Sequence, residues 1–173
     1  MGLAPAANGG NRTGRIFTGD SSGDFLFRAL HRAGFASQPT SVSREDGLVL
    51  TDCFISAAAR CAPPGNKPTP AEFDRCRPFL SREMAALQDL RVILPLGALA
   101  WKSSIEALLA NGEPIPRRVP KFAHGAEARV GRFLLLGSYH VSQQNTNTGR
   151  LTRAMFDVIL RRAKTGMERA RIL

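Results

Sequence analysis

Apolar residues recur along this chain on two periods, one suited to helices and one to buried strands, and the two kinds of segment take turns. Behind Asp20-Ser21-Ser22, the positions Phe25, Leu26, Ala29, Leu30 and Ala33 fall on one helical face, which predicts a helix over about Gly23–Ala33. Asp20, Ser21 or Ser22 can cap its start and Gly34 can end it. The run Leu48–Ala57 reads as a strand. Thr69-Pro70-Ala71-Glu72 combines a capping threonine, a first-turn proline and a glutamate that can reach back to the cap, so a helix should start there and continue to about Leu87. Arg91–Gly97 predicts a second strand, leading through Gly97 into a helix over about Ala98–Leu109. The apolar run Arg132–Gly137 predicts a third strand, and Met155, Phe156, Ile159 and Leu160 give a last amphipathic helix over about Arg153–Lys164. Residues 1–19, rich in Gly, Asn and Thr, and residues 111–131, with three prolines and three glycines, should be mostly loop. Strands alternating with helices argue for an α/β fold with a parallel sheet covered on both faces.

The length of 173 residues suits one domain with a real core, taken here as residues 1–173. Charge narrows the partner. Lys and Arg number 24 against 14 Asp and Glu, a net +10, which points to a polyanion such as nucleic acid. The basic residues are not confined to a tail, since Arg12, Arg15, Arg117, Arg118, Lys121, Arg150 and Arg153 are spread along the chain. No apolar run approaches the ~20 residues that cross a bilayer, and no export signal is visible, so a cytoplasmic protein without a membrane partner is expected. The three cysteines are irregularly spaced, form no disulfide framework and should be reduced.

Candidate chemistry starts at His140, which sits at the C-terminal end of the third predicted strand, the edge where open α/β sheets bind ligands. It opens the string His140-Val141-Ser142-Gln143-Gln144-Asn145-Thr146-Asn147-Thr148-Gly149-Arg150-Leu151-Thr152. Two further blocks precede it in order: Gly2-Leu3-Ala4-Pro5 running on to Phe17-Thr18-Gly19-Asp20-Ser21-Ser22-Gly23, and Arg60-Cys61-Ala62-Pro63-Pro64-Gly65-Asn66-Lys67. Together they resemble the signatures of the uracil-DNA glycosylase superfamily, most closely its type 5 branch. The resemblance implies a three-layer α/β/α sandwich with a mostly parallel central sheet. It also implies a monofunctional enzyme, acting as a monomer, that hydrolyses the bond between uracil and deoxyribose in DNA. No lysine aligns as a Schiff-base nucleophile, so strand cleavage is not expected.

Such cleavage leaves positive charge on the sugar and negative charge on the base. The resemblance assigns the base side to His140, as donor to a uracil carbonyl, and the sugar and water side to Asp20. Position alone lets Asp20 be equally a helix cap. Phe17 matches the family's stacking aromatic, although an ordinary core phenylalanine is the alternative. Asn66 could read the uracil edge or only fix its turn, and backbone amides of Gly2, Leu3 and Ala4 could bind uracil or water. Many relatives carry an acidic or amide side chain near the first block, where this chain has Leu3 and Ala4, so a base range wider than uracil is expected. Ser21, Ser22, Ser142 and Arg150 are candidates for phosphates, and Gln143, Gln144 and Asn145 for the space left by the extruded base. His124 also matches a family block and is given an orienting role, while His31 reads as a surface residue. Cys61 and Cys76 match the second cysteine pair of a four-iron, four-sulfur cluster. The first pair, and the central strand that carries the family's first block, lie in the resemblance ahead of Gly2. The expectation is therefore a form without them that holds no stable cluster, the cluster returning if an upstream pair exists. The main alternative is a uracil-DNA binding module with impaired catalysis. A phosphate cradle built from Gly9-Gly10 and Gly19 is more distant, because no phosphate-loop lysine follows.

Overall fold

The computed structural model describes residues 1–171, and for Asn66 and Arg171 the backbone alone. In chain order the elements are α1 (Gly10–Thr13), α2 (Ser21–Arg32), a 3-10 turn (Pro64–Asn66), α3 (Pro70–Ala86), β1 (Val92–Ile93), α4 (Ala98–Ala110), β2 (Glu127–Val130), β3 (Phe133–Leu136), α5 (Gln143–Asn147) and α6 (Arg153–Arg171). The helix signals act locally. The Thr69 hydroxyl accepts from the Glu72 amide while the Glu72 carboxylate accepts from Thr69 N at 2.6 Å, a complete capping box at the start of α3. Asp20 caps α2 in the same manner.

The strands are shorter than expected. Leu48–Ala57 forms no continuous strand and makes only two single-residue bridges, Leu50 with Ala36 and Ala57 with Gly2. Asp52 lies at φ 52°, and this left-handed turn in mid-segment prevents either half from following one partner. Conversely, part of the expected loop 111–131 is β2, whose alternating exposed and buried residues carry Ala128 and Val130 into the core. The sheet is also mixed rather than mostly parallel. Its order is β1-β3-β2, with β1 parallel and β2 antiparallel to β3, because only Gly131 and Arg132 separate Val130 from its partner Phe133. A connection that short can only make a hairpin. β3 is buried along its whole length, as its unbroken apolar run requires.

Helices pack on two sides of this sheet. Leu80 and Met84 of α3 and Trp101, Ala107 and Leu108 of α4 cluster with Ile93, Ala128, Val130 and Leu135. Ile159 and Ala163 of α6 pack instead with Leu136. A third cluster joins Phe27 and Leu30 of α2 to Phe156 and Leu160 of α6 and to Val141, directly after His140. The polypeptide around His140 is thereby anchored to the core. Among the described residues no helix is long and apolar enough to cross a membrane.

Candidate active site

The turn ahead of α2 is built by close backbone approach. Phe17 holds φ 64°, a conformation costly for a non-glycine residue, and the buried Thr18 hydroxyl fixes it by bonding Arg15 O and pairing with the Thr13 hydroxyl. Gly23 is required here: a Cβ on it would lie 1.9 Å from Phe17 O. Gly2 faces the same ring, and a Cβ there would come within 2.8 Å of Phe17 Cζ. Phe17 is half-buried and packs against the core cluster, as an ordinary core phenylalanine would, and its ring centroid lies 5.9 Å from that of His140. Asp20 does cap α2, its Oδ1 accepting from Ser22 N at 2.9 Å and Gly23 N at 3.1 Å. Its other oxygen has no hydrogen-bond partner among the described residues, and the side chain is exposed.

His140 follows the sheet's parallel pairing. The register of β1 and β3 continues through a Leu96–Ser138 bridge, Gly97 N donates to Ser138 O at 2.8 Å, and two residues later the imidazole emerges. The Asn145 side-chain amide donates to His140 O at 2.8 Å. Burial lowers the proton affinity of the ring and the Asp20 carboxylate pulls it back up, the net shift being downward. The imidazole is therefore neutral at pH 7 and has an N–H to donate. Gly2 N and O and Leu3 O pair with Ser56, Ala58 and Ala59, while the amides of Leu3, Ala4 and Ala6 donate to no group among the described residues. The N-terminal Gly2, Phe17 and Asp20 thus share one neighbourhood with His140, more than a hundred residues away in sequence. An apolar cavity of about 160 Å³ lies on the inner side of Phe17, lined by Leu26, Leu30, Phe35, Leu94 and Met167 among others, and includes neither His140 nor Asp20.

Residues 1–164 match the family model of the uracil DNA glycosylase superfamily. The chain belongs to that superfamily. It is 52% identical over 166 residues to a type-5 uracil-DNA glycosylase of Mycobacterium bovis, an alignment covering 95% of this chain and 60% of that protein. It is 49% identical over 165 residues to a type-5 uracil-DNA glycosylase of Thermus thermophilus, covering 95% and 73%. A type-4 uracil-DNA glycosylase of Pyrobaculum aerophilum is 31% identical over 116 residues, covering 66% and 51%. The chain thus spans about 60% of the length of the mycobacterial relative it matches.

In this superfamily member the loop after His140 is not irregular. Ser142 caps the short helix α5 by accepting from Asn145 N, which leaves Gln143 and Gln144 exposed at its start. Asn145, expected to face DNA, donates its side-chain amide to His140 O, a role with no signal in the sequence. Arg150 lies over the Tyr139 ring at 4.7 Å and is exposed. Ser21 is exposed and Ser22 half-exposed at the start of α2, where Asp20 already occupies two of the free amides. Arg12 is exposed, whereas Arg15 is bound to Asp46 at 3.2 Å and to Arg44 O at 2.9 Å. The side chain of Asn66 lies outside the described residues.

A four-iron, four-sulfur cluster of the kind the resemblance implies needs four converging thiolates. Cys76 Sγ accepts from Arg60 N at 3.4 Å beside the exposed Cys61, but Cys53 lies elsewhere, lining the apolar cavity, where burial raises its thiol pKa. Among the described residues no three His, Cys, Asp or Glu side chains converge as a metal site. Among the described residues these three thiols do not make up a four-thiolate set.

Proposed function

We propose that this protein hydrolyses the N-glycosidic bond of uracil in DNA, releasing the free base and leaving an abasic site, as the first step of base excision repair. The observation that carries the reading is a neutral His140 imidazole 5.9 Å from the Phe17 ring at the end of a sheet strand. A uracil turned out of the duplex would stack on Phe17, and His140 N–H would bond a carbonyl oxygen of the base. As the C1′–N1 bond breaks, its electron pair leaves with uracil, and a donor already in position stabilises that anion without reorganisation. The unoccupied oxygen of Asp20 would orient a water molecule and offset the sugar's positive charge. The water adds to C1′, and its proton passes to Asp20 or solvent.

The unpartnered amides of Leu3, Ala4 and Ala6 supply further donors to base or water. Ser21, Ser22, Ser142, Gln143, Gln144 and Arg150 line the approach proposed for the DNA strand. Helices on both sides of the sheet support a three-layer α/β/α reading, with residues 1–173 acting as one monomeric unit. Apolar Leu3 and Ala4 beside the base site favour a range wider than uracil.

The test is direct. The purified protein is incubated with labelled duplex containing one uracil, and separately one hypoxanthine opposite thymine, then treated with alkali. Strand breaks at the uracil are expected only after alkali. Retardation of the duplex in a gel without breaks would replace catalysis by a binding function, and neither result would remove both. Uracil cleavage without hypoxanthine cleavage would refute the wider range alone.

A further inference from the structure

The backbone ladder between β2 and β3 ends just before His140, and a side chain continues it. Gly125 N donates to Gly137 O at 2.8 Å, the last backbone contact on that side. The next inward amide, Tyr139 N, donates instead to His124 Nδ1 at 3.3 Å. Ser138, fully buried, has its hydroxyl 3.5 Å from the same nitrogen and 3.0 Å from Tyr139 O. The His124 ring also lies against Tyr139, centroids 5.2 Å apart, and Tyr139 is flanked by Phe122 and the Arg150 guanidinium.

An amide can only donate, so Nδ1 must present its lone pair and the ring proton must sit on Nε2. Burial keeps the ring neutral: it lowers the proton affinity, the nearby Met155 backbone raises it, Arg162 lowers it again, and the net shift is downward. His124 therefore holds the peptide preceding His140, while Asn145 holds the peptide following it. Val141 and Ser138 are anchored in the core, and these two bonds set the orientation of the peptides on either side of His140.

We propose that His124 is a positioning residue for His140, its Nδ1 lone pair replacing the missing strand neighbour of Tyr139 so that the catalytic ring is held toward Phe17. This rests on the reading of His140 as the donor to the departing base. The experiment uses the full chain with His124→Leu, His124→Asn and His124→Gln. An Asn amide oxygen can reach the position of Nδ1, whereas a Gln side chain reaches that of Nε2. Single-turnover excision, affinity for uracil duplex, thermal melting and Tyr139 amide exchange are measured together. His124→Leu and His124→Gln should slow excision roughly ten- to hundredfold, the scale of a slightly misplaced catalytic group, with affinity nearly unchanged. His124→Asn should recover most of the rate and the amide protection.

Equal rates in Asn and Gln variants, a wild-type rate in the Leu variant, or a loss lying wholly in affinity would overturn the proposal. If the Leu variant fails to fold, the Asn and Gln pair decides. Should the wild-type protein not excise uracil, the functional reading fails separately. Positioning is then judged from Tyr139 exchange and from the proton contact between the His140 and Phe17 rings: loss in Gln with retention in Asn supports it, and no change in either refutes it.

Discussion

A histidine whose proton affinity is pushed down stays a neutral donor over a wider pH range, and burial does this at His140 against the opposing pull of Asp20. The sign of the pH dependence follows. Activity should hold down through the ordinary histidine range and fall only at more acid pH, as the ring takes up a second proton. Replacing Asp20 by Asn removes the carboxylate that favours the charged ring, so Asp20→Asn should slow excision and move the acid limb of the rate profile to lower pH. A limb that stays put would mean that the two groups do not interact. His140→Ala should cost about 3 kcal/mol of transition-state stabilisation, roughly a hundredfold in single-turnover rate, with duplex affinity retained. Phe17 and His140 were legible as candidates because each stands in a motif of several residues. The second duty of Asn145, as a brace on His140 O, was not, because nothing in a sequence says which way an amide turns.

Elements formed where their signals were local. The cap, first-turn proline and reciprocal glutamate of α3 sit within four consecutive residues, and the helix begins there. Strand signals depend on a neighbour, so Leu48–Ala57 did not become the strand its composition suggested, while β2 arose from an expected loop through pairing with β3. The loop ahead of Leu48 is held by one buried carboxylate. Burial alone would push the Asp46 pKa up, but the amides of Leu48, Val42 and Ser43 and the Ser41 hydroxyl bring it down to about 2 from the ordinary 3.8. Because the folded value is the lower one, this contribution to stability is complete above about pH 4 and is lost as pH falls through about 2. Urea unfolding of Asp46→Asn should show lower stability at neutral pH and a smaller loss between pH 4 and 2 than the wild type. Parallel curves for the two proteins would contradict that account.

At the scale of the whole molecule the net charge of +10 should govern encounter with the proposed DNA substrate. Arg15, Arg77 and Arg162 are paired with Asp46, Glu106 and Glu127, charges that already cancel in the net figure. The remaining basic surface should make uracil-duplex affinity fall steeply with salt, log K against log salt having a slope of about −0.9 for each phosphate neutralised. An affinity insensitive between 50 and 200 mM salt would argue against a phosphate-contacting face. The sequence by itself determined the four long helices, the basic character and the family, because capping chemistry, charge and ordered motifs are written in neighbouring residues. Tertiary structure alone decided the mixed sheet, the approach of Phe17 to His140 and the bracing by His124 and Asn145. Those depend on which distant segments pack together, and pairing across space leaves no local mark in the chain.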